Sequence, residues 1–468
     1  MVPPGVTALA PDPTFYPTPA EAMRAPPERF AYVAALHTGT GINRPDFIAV
    51  VDVDPKSENF GRIVHRVELD QVGDELHHFG WNACSSMLCP YGDPTTERRY
   101  LIVPGLRSSN VYVLDTKPDP RRPRLVKKIP GEKITRVTGY SRLHTVHCGP
   151  DAIYVSALGG RGDGGPGGVL LLDHRTFEPL GRFEIERGPQ YLAYDFWWHL
   201  AEDTMVTSEW TVPKYYENGL DLEALTKGLY GNKLHFWDLR RRKHVQAIEL
   251  GKDERMVLEL RPLHDPTKPM GFVNVVVNVS NLSSSVWLWY KEDGRWGAQK
   301  VIEVEAVPVE RDLLPDALRP FGVVPPLVTD INLSLDDRYL YVSCWGTGEL
   351  RCYDVSNPFE PKLRSVAKLG GILHRSPHPS GRPLTGGPQM VEVSRDGKRV
   401  YVTNSLYSSW DPIFYPEGLR GWLVLLRSDN GDLSVVRDFL VDFGEAKAHQ
   451  VRLEGGDSSS DSFCYPSP

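Results

Sequence analysis

The residues best able to do chemistry fall in one short run, Asp74-Glu75-Leu76-His77-His78-Phe79-Gly80-Trp81-Asn82-Ala83-Cys84. It holds two adjacent imidazoles, an indole N–H, a carboxamide and a thiol. Turn formers follow at once, at Ser85, Ser86 and Pro90-Tyr91-Gly92-Asp93-Pro94. Imidazole is the commonest metal ligand among side chains. Neighbouring side chains on a regular strand point to opposite faces. His77 and His78 can therefore share one ion only if the backbone bends, and Gly80 could allow that bend. The competing reading makes one His a solvated loop residue and Trp81 ordinary core.

A second run, Arg142-Leu143-His144-Thr145-Val146-His147-Cys148, sets two imidazoles at i, i+3, and His264 and His449 follow far downstream. Several imidazoles with few carboxylates suit copper or zinc better than calcium or magnesium, which prefer oxygen donors. Each of these histidines could equally be a loop residue bonded to backbone. His374 and His378 sit in a Pro/Gly-rich loop and read as solvated. Cys84 lies within reach of the proposed cluster, where a metal or imidazolium would lower its pKa and make it reactive. Its alternative is a small buried hydrophobe. Asp195, Glu209, Asp330 and Asp411 could orient a histidine or cap turns.

Such residues are far apart in sequence, so the fold must gather them. After a Pro-rich stretch, residues 1–29, read as an arm, the remainder, 30–468, reads as a single domain of about seven similar β units. Each unit is an apolar strand, a polar turn, a second strand ending in an aspartate-marked turn, and a third strand. Two units are close copies, Leu-Ser-Leu-Asp-Asp-Arg-Tyr-Leu-Tyr-Val-Ser at 333–343 and Val-Ser-Arg-Asp-Gly-Lys-Arg-Val-Tyr-Val-Thr at 393–403. Helical periodicity is limited to 221–229. Radially repeated short strands mean a β-propeller, an all-β fold whose inner strands and top loops converge on one channel.

The 468 residues, 41% hydrophobic and 24% charged with a formal net charge of -7, give no electrostatic reason to expect nucleic acid as partner. No run approaches the ~18 apolar residues of a membrane span. No basic n-region with an apolar core opens the chain, so the expected location is cytoplasmic. Six cysteines are too few for a disulfide scaffold at this length. No nucleophile elbow, P-loop or HExxH is present. Gly159–Gly168 reads as a hairpin and not a phosphate cradle. Oligomeric state has no signature in the sequence.

The chain resembles the selenium-binding protein family, which includes methanethiol oxidases. The matching segments are Asp52-Val53-Asp54-Pro55-Lys56-Ser57, the 74–84 run, His144-Thr145-Val146-His147-Cys148, Tyr194-Asp195-Phe196-Trp197, Gly386-Gly387-Pro388-Gln389-Met390 and Ala448-His449. The resemblance implies a seven-bladed propeller with a copper-dependent reaction in which methanethiol, dioxygen and water give formaldehyde, hydrogen sulfide and hydrogen peroxide. It implies metal ligands at His77, His78, one or both of His144 and His147, and His449. His77, His78 and Cys84 would be catalytic, with Cys84 also the selenium-attaching residue. Phe79, Trp81 and Trp197 would line a small apolar pocket for the methyl group. Many relatives carry a second cysteine three residues after the one matching Cys84. Met87 stands there, so no dithiol relay is possible between those positions. A non-catalytic selenium- or metal-binding propeller, a carrier or interaction platform, is the alternative implied.

Overall fold

The computed structural model describes residues 10–373 and 376–468. Each β unit becomes the outer part of a blade. The first is Phe30–Leu36, Pro45–Asp52 and Ile63–Val72, paired antiparallel in sequence order. Seven four-stranded sheets of this kind form the ring, the seven-bladed propeller expected.

The sequence repeat shows three strands per unit, and the structure adds a fourth, innermost one to each. These are Gly80–Trp81, Ser141–Cys148, Phe196–His199, Glu254–Pro262, Val328–Leu333, Val391–Val393 and Lys447–Leu453. The last belongs to the first blade. It pairs with Phe30–Leu36, Ala31 opposite Leu453 and Val33 opposite Val451, so the two ends of the chain close the ring together.

Blade faces explain the strand patterns. A middle strand is covered on both faces by the neighbouring blades, and every residue from Asp46 to Asp52 is buried. An outer strand has one wet face, and Lys243–Glu249 alternates accordingly. Between the first two blades, Tyr32, Ile48 and Val50 meet Phe79, Trp81, Leu101 and Tyr112. Burying each such side chain contributes roughly 1.5–3 kcal/mol. The copied turn motif closes locally. Ser334 Oγ donates to Asp336 Oδ1 at 2.5 Å and Ser394 Oγ to Asp396 Oδ1 at 2.5 Å.

Two helical details differ from the sequence reading. The helix expected over 221–229 is only Leu222–Thr226, capped by Asp221 accepting from Ala224 N at 2.8 Å. Gly131–Thr138 is an additional helix, ended by Gly139 at φ 73°. His378 is buried, with Nδ1 2.9 Å from Ser380 Oγ, because its loop folds back on the propeller. His374 lies outside the described residues.

Past the closing strand, the segment 455–464 seals the lower end of the channel. Asp461 is buried between Arg98 and Arg395, the latter at 3.3 Å, and accepts from Ser85 N at 2.8 Å. His264 spans Asp337 Oδ1 and Ser458 O, both at 2.8 Å. Ser462 Oγ accepts the indole N–H groups of Trp197 and Trp198 at 3.1 and 2.9 Å. A Cys89–Cys464 disulfide ties the segment down. No helix among the described residues is long and apolar enough to cross a membrane.

Removing one partner of a buried ion pair costs about 3–5 kcal/mol, because the remaining charge is uncompensated. Asp461→Ala, which strands two guanidinium groups, is expected to lower stability by at least that much. A shift in the urea midpoint relative to the parent protein measures it, and an unchanged midpoint would show that the seal contributes nothing.

Candidate functional site

His77 and His78 precede the short inner strand Gly80–Trp81. Both rings nevertheless reach one group, outside any regular strand, after a left-handed residue at Glu75, φ 62°. Gly80 has a different task from the one expected of it. A Cβ there would meet Val146 O at 2.6 Å, so glycine permits the close approach of the neighbouring inner strand. His144 sits where Leu143 pairs with Ala157 and Val146 with Val155, an extra residue in the inner strand. His449 occupies the corresponding irregularity, between Val33 opposite Val451 and Ala35 opposite Ala448. A third such shift, between Val257 and Leu260, carries Glu259. Bulges of this kind re-aim side chains and are over-represented beside active sites. Here they turn residues of three different blades into the channel.

The result is an imidazole quartet. His77 lies 4.1 Å from His449 and 5.6 Å from His144, centroid to centroid. His78 lies 4.1 Å from His144 and 5.7 Å from His449. Each of the two adjacent histidines thus stands between the two distant ones. Tyr407 packs at 5.1 Å on His77, and Tyr194 at 4.6 Å on His144. All four imidazoles are buried.

Burial first, then the neighbouring imidazoles, hold His78, His144 and His449 well below the usual histidine pKa of 6.5. They are neutral, the form that binds metal. Their outer contacts orient the rings. His449 Nδ1 donates to Ser405 O at 2.6 Å, which leaves Nε2 as a bare lone pair. Thr145 Oγ1 bridges His78 Nδ1 at 3.2 Å and His144 Nδ1 at 3.1 Å. His77 Nε2 is 3.4 Å from Glu75 Oε1, and Glu75 also accepts from Ser408 N at 2.7 Å and Arg107 Nε at 3.1 Å. Burial would raise the Glu75 carboxyl. The hydrogen bond and charge of His77, with Arg107 and Ser408, bring it instead to about 2.

The Nε2 atoms of His78 and His449 are buried without a hydrogen bond. His78 Nε2 has Glu259 Oε1 at 3.5 Å, but not in bonding geometry. Buried polar atoms are ordinarily paired, and unpaired ones point to a missing ligand or strain. The donor set, four imidazoles of which three are held neutral, with no carboxylate in the ring of four, suits copper or zinc. The rings are packed together, and among the described residues no three His, Cys, Asp or Glu side chains form a ready-made coordination shell. Binding an ion therefore requires the four rings to turn within their places.

His147, three residues beyond His144, is not part of this group. Its ring stacks on Trp197 at 3.9 Å, and Nε2 is 3.5 Å from Asp195 Oδ1. Cys84 is separate again. Its thiol contacts Ser86 Oγ at 3.0 Å and Cys148 O at 3.1 Å, beside the Arg98–Asp461 pair. Burial pushes this thiol up, but hydrogen bonds with Cys148 and Ser86 and the Arg98 charge leave it below its usual value. Phe79 and Trp81 are core between the first two blades, and Trp197 belongs to His147. These three rings do not line one pocket, because a blade's inner strand spends its large apolar side chains on the neighbouring blade.

Below the quartet, Arg261 is surrounded by Asp330 at 3.1 Å, Glu259 at 3.3 Å and Asp195 at 3.7 Å. Burial pushes Glu259 up to about 8, and repulsion from Asp195 adds to the effect. Tyr194 Oη donates to its Oε1 at 3.1 Å. Glu209 instead holds His235 at 2.9 Å, and Asp411 caps the turn at Leu406 N at 3.0 Å. The sequence reading missed Glu75, Glu259, Ser405 and Tyr407 as partners of the histidines. Only Glu75, inside the His77–His78 run, carried a signal in its position.

Comparison with known proteins agrees with this architecture. The family described as 56kDa selenium binding protein matches residues 9–464. A methanethiol oxidase of Xenopus laevis is 42% identical, over 95% of this chain and 97% of its own length. Selenium-binding protein 2 of Mus musculus is 41% identical over the same shares. A solved structure of a hypothetical selenium-binding protein from Sulfolobus tokodaii is 65% identical, with a TM-score of 0.96 over 97% of this chain and all of that one. A periplasmic gluconolactonase of Pseudomonas aeruginosa, at 11% identity and a TM-score of 0.56 over 91% of this chain and 98% of its own, shares the fold alone. This chain belongs to the selenium-binding protein family.

Proposed function

We propose that the protein is a copper-dependent methanethiol oxidase, converting methanethiol, dioxygen and water to formaldehyde, hydrogen sulfide and hydrogen peroxide. The observation that carries this reading is the convergence of four buried imidazoles, His77, His78, His144 and His449, on one point of the channel. Relatives named methanethiol oxidase, at 41–42% identity over nearly the whole chain, support it. Those four side chains would hold the copper. Copper held there would supply Lewis-acid activation of a thiol and one-electron chemistry with dioxygen.

The chain's own residues have definable parts. Glu75, Thr145 and the Ser405 carbonyl orient the imidazoles, and the carbonyl also fixes the His449 tautomer. Tyr194 and Tyr407 cover the quartet and keep water from it. Glu259, raised by burial and by repulsion from Asp195, would serve as the acid–base group beside His78. His147 is not placed among the ligands in this reading, since its ring packs on Trp197 away from the group of four.

A carrier role for selenium or another soft ligand has its own observation, the lowered thiol of Cys84 lying apart from the quartet. The two readings separate experimentally. His77→Ala and His449→Ala are expected to lose copper and at least about a hundredfold in peroxide release, the cost typical of a disturbed metal site. Cys84→Ser is expected to keep stoichiometric copper. Full turnover in His77→Ala would remove the quartet as the copper site, no turnover in the copper-loaded parent would remove the oxidase reading, and copper loss in Cys84→Ser would place the thiol in the metal site. The cytoplasmic location belongs to the same proposal and is read by cell fractionation. There the Cys89–Cys464 bridge would have to withstand reducing thiols.

The neutral histidines also set a pH dependence. Their folded pKa values lie below the unfolded 6.5, so the unfolded chain binds more protons between those limits. Their contribution to stability is complete above pH 6.5 and falls as the pH drops, by up to about 1.4 kcal/mol per pH unit for each imidazole. Urea midpoints of metal-free protein are expected to fall steeply from pH 7 to 5, and less steeply in His144→Gln. A slope equal to the parent's would show that His144 does not contribute.

A further inference from the structure

Beside the quartet, the top of the ring holds a cavity of about 140 Å³. Its walls come from the starts of two inner strands, Met256 and Thr329, from the hairpin at Val276, and from Trp345. Its roof is the inserted segment with the helix Leu222–Thr226 and the loop that carries Trp410. Leu222 and Phe321, 44% and 50% exposed, stand at its rim and mark where it opens to solvent.

The polar groups of the lining are all engaged elsewhere. Thr226 Oγ1 donates to Glu223 O, Thr329 Oγ1 to Gln389 O, Trp345 Nε1 to Asn404 O and Trp410 Nε1 to Tyr216 O, at 2.9–3.1 Å. No charged side chain lines it. A cavity with no free polar partner stays dry, and one of roughly 150 Å³ is large enough to bind benzene or xenon. Two layers of rings separate it from the histidines. Trp410 is 5.4 Å from Trp210, which is 6.3 Å from Tyr407 and 5.7 Å from Tyr194. Those two tyrosines are the ones packed on His77 and His144.

We propose that this chamber is the binding site through which small uncharged alkyl thiols reach the quartet, and that it sets their size and charge limits. The inference rests on the oxidase reading for what happens to the thiol afterwards, but the binding itself does not. A chamber of this size takes a thiol of up to about six heavy atoms, by comparison with benzene. It rejects charged thiols, because burying an ion with no partner is prohibitively unfavourable. It also replaces Phe79, Trp81 and Trp197 as the apolar pocket.

The test is a thiol series on the copper-loaded protein, with binding measured separately by saturation-transfer NMR on the protein as purified. KM is expected to fall about fourfold per added methylene from methanethiol to 1-propanethiol. 2-Mercaptoethanesulfonate and cysteamine are expected to show no saturation. Val276→Phe, which fills the chamber, should raise the ratio of the 1-propanethiol KM to the methanethiol KM about tenfold, the worth of one to two methylenes. It should also abolish saturation transfer to ethanethiol. If no thiol is turned over, the oxidase reading falls and the NMR alone decides. Transfer to ethanethiol in the parent, lost in Val276→Phe, supports the chamber, and absent or equal transfer overturns it. Should Val276→Phe fail to fold by circular dichroism, Met256→Ala decides instead. An enlarged chamber shifts the preferred thiol to a longer chain, and an unchanged order overturns the proposal.

Discussion

The antiparallel pairing of Lys447–Leu453 with Phe30–Leu36 is the contact on which the rest of the structure depends. It converts a linear series of blades into a ring, and a ring leaves no blade face uncovered. The middle strands can then be apolar on both faces, as the fully buried run from Asp46 to Asp52 is. The same pairing brings His449 from the far end of the chain to 4.1 Å from His77. Ring closure completes the site, since His449 joins His77, His78 and His144 only when Lys447–Leu453 pairs with the first blade.

Closure also creates a channel lined by inner strands and cut off from water, and this sets the electrostatics. Ionised groups there must pair, and the channel is arranged in levels by how they do so. At the top, Glu75 takes the hydrogen bonds of Ser408 and Arg107 and stays charged. His78, His144 and His449, with no counter-ion within the ring of four, are held neutral by burial. Below them three carboxylates share Arg261, too many for one cation, and Glu259 is pushed up to about 8. Lowest of all, two guanidinium groups share Asp461. Neutral donors between layers of charge are what a metal-binding site needs, because a protonated imidazole offers no lone pair.

Much of this was legible in the sequence, and what was not has a physical reason. The outer three strands of each blade read clearly, since their turns carry Asp, Gly and Ser at fixed places. The innermost strands did not. Gly80–Trp81 is two residues long, and Ser141–Cys148 is polar at His144, Thr145 and His147 because it faces a channel and not a core. The candidate histidines were found by type and spacing, but spacing could not separate His144 from His147. The bulge at His144–Thr145 sets His144 beside His77 and His78 and leaves His147 on Trp197, and it is a property of pairing with the adjacent strand. Phe79 and Trp81 were assigned to a pocket because they flank the histidines in sequence. On an inner strand, such neighbours point at the adjacent blade.

The separation of Cys84 from the quartet bears on chemistry. Cys84 follows His78 by six positions, which suggested a common centre, yet between them the chain passes down an inner strand. The thiol ends near the sealed lower end, against Cys148 and the Arg98–Asp461 pair, while the imidazoles remain near the top. Arg452 spans the interval, bonded to Phe79 O at 3.0 Å and Glu392 at 2.6 Å. A sulfur held in this way is no ligand to an ion at the histidines without rebuilding the strand. The Cys84 thiol and the imidazole quartet are therefore separate groups of one channel. A selenium-binding propeller and an oxidase need not be competing descriptions of the family.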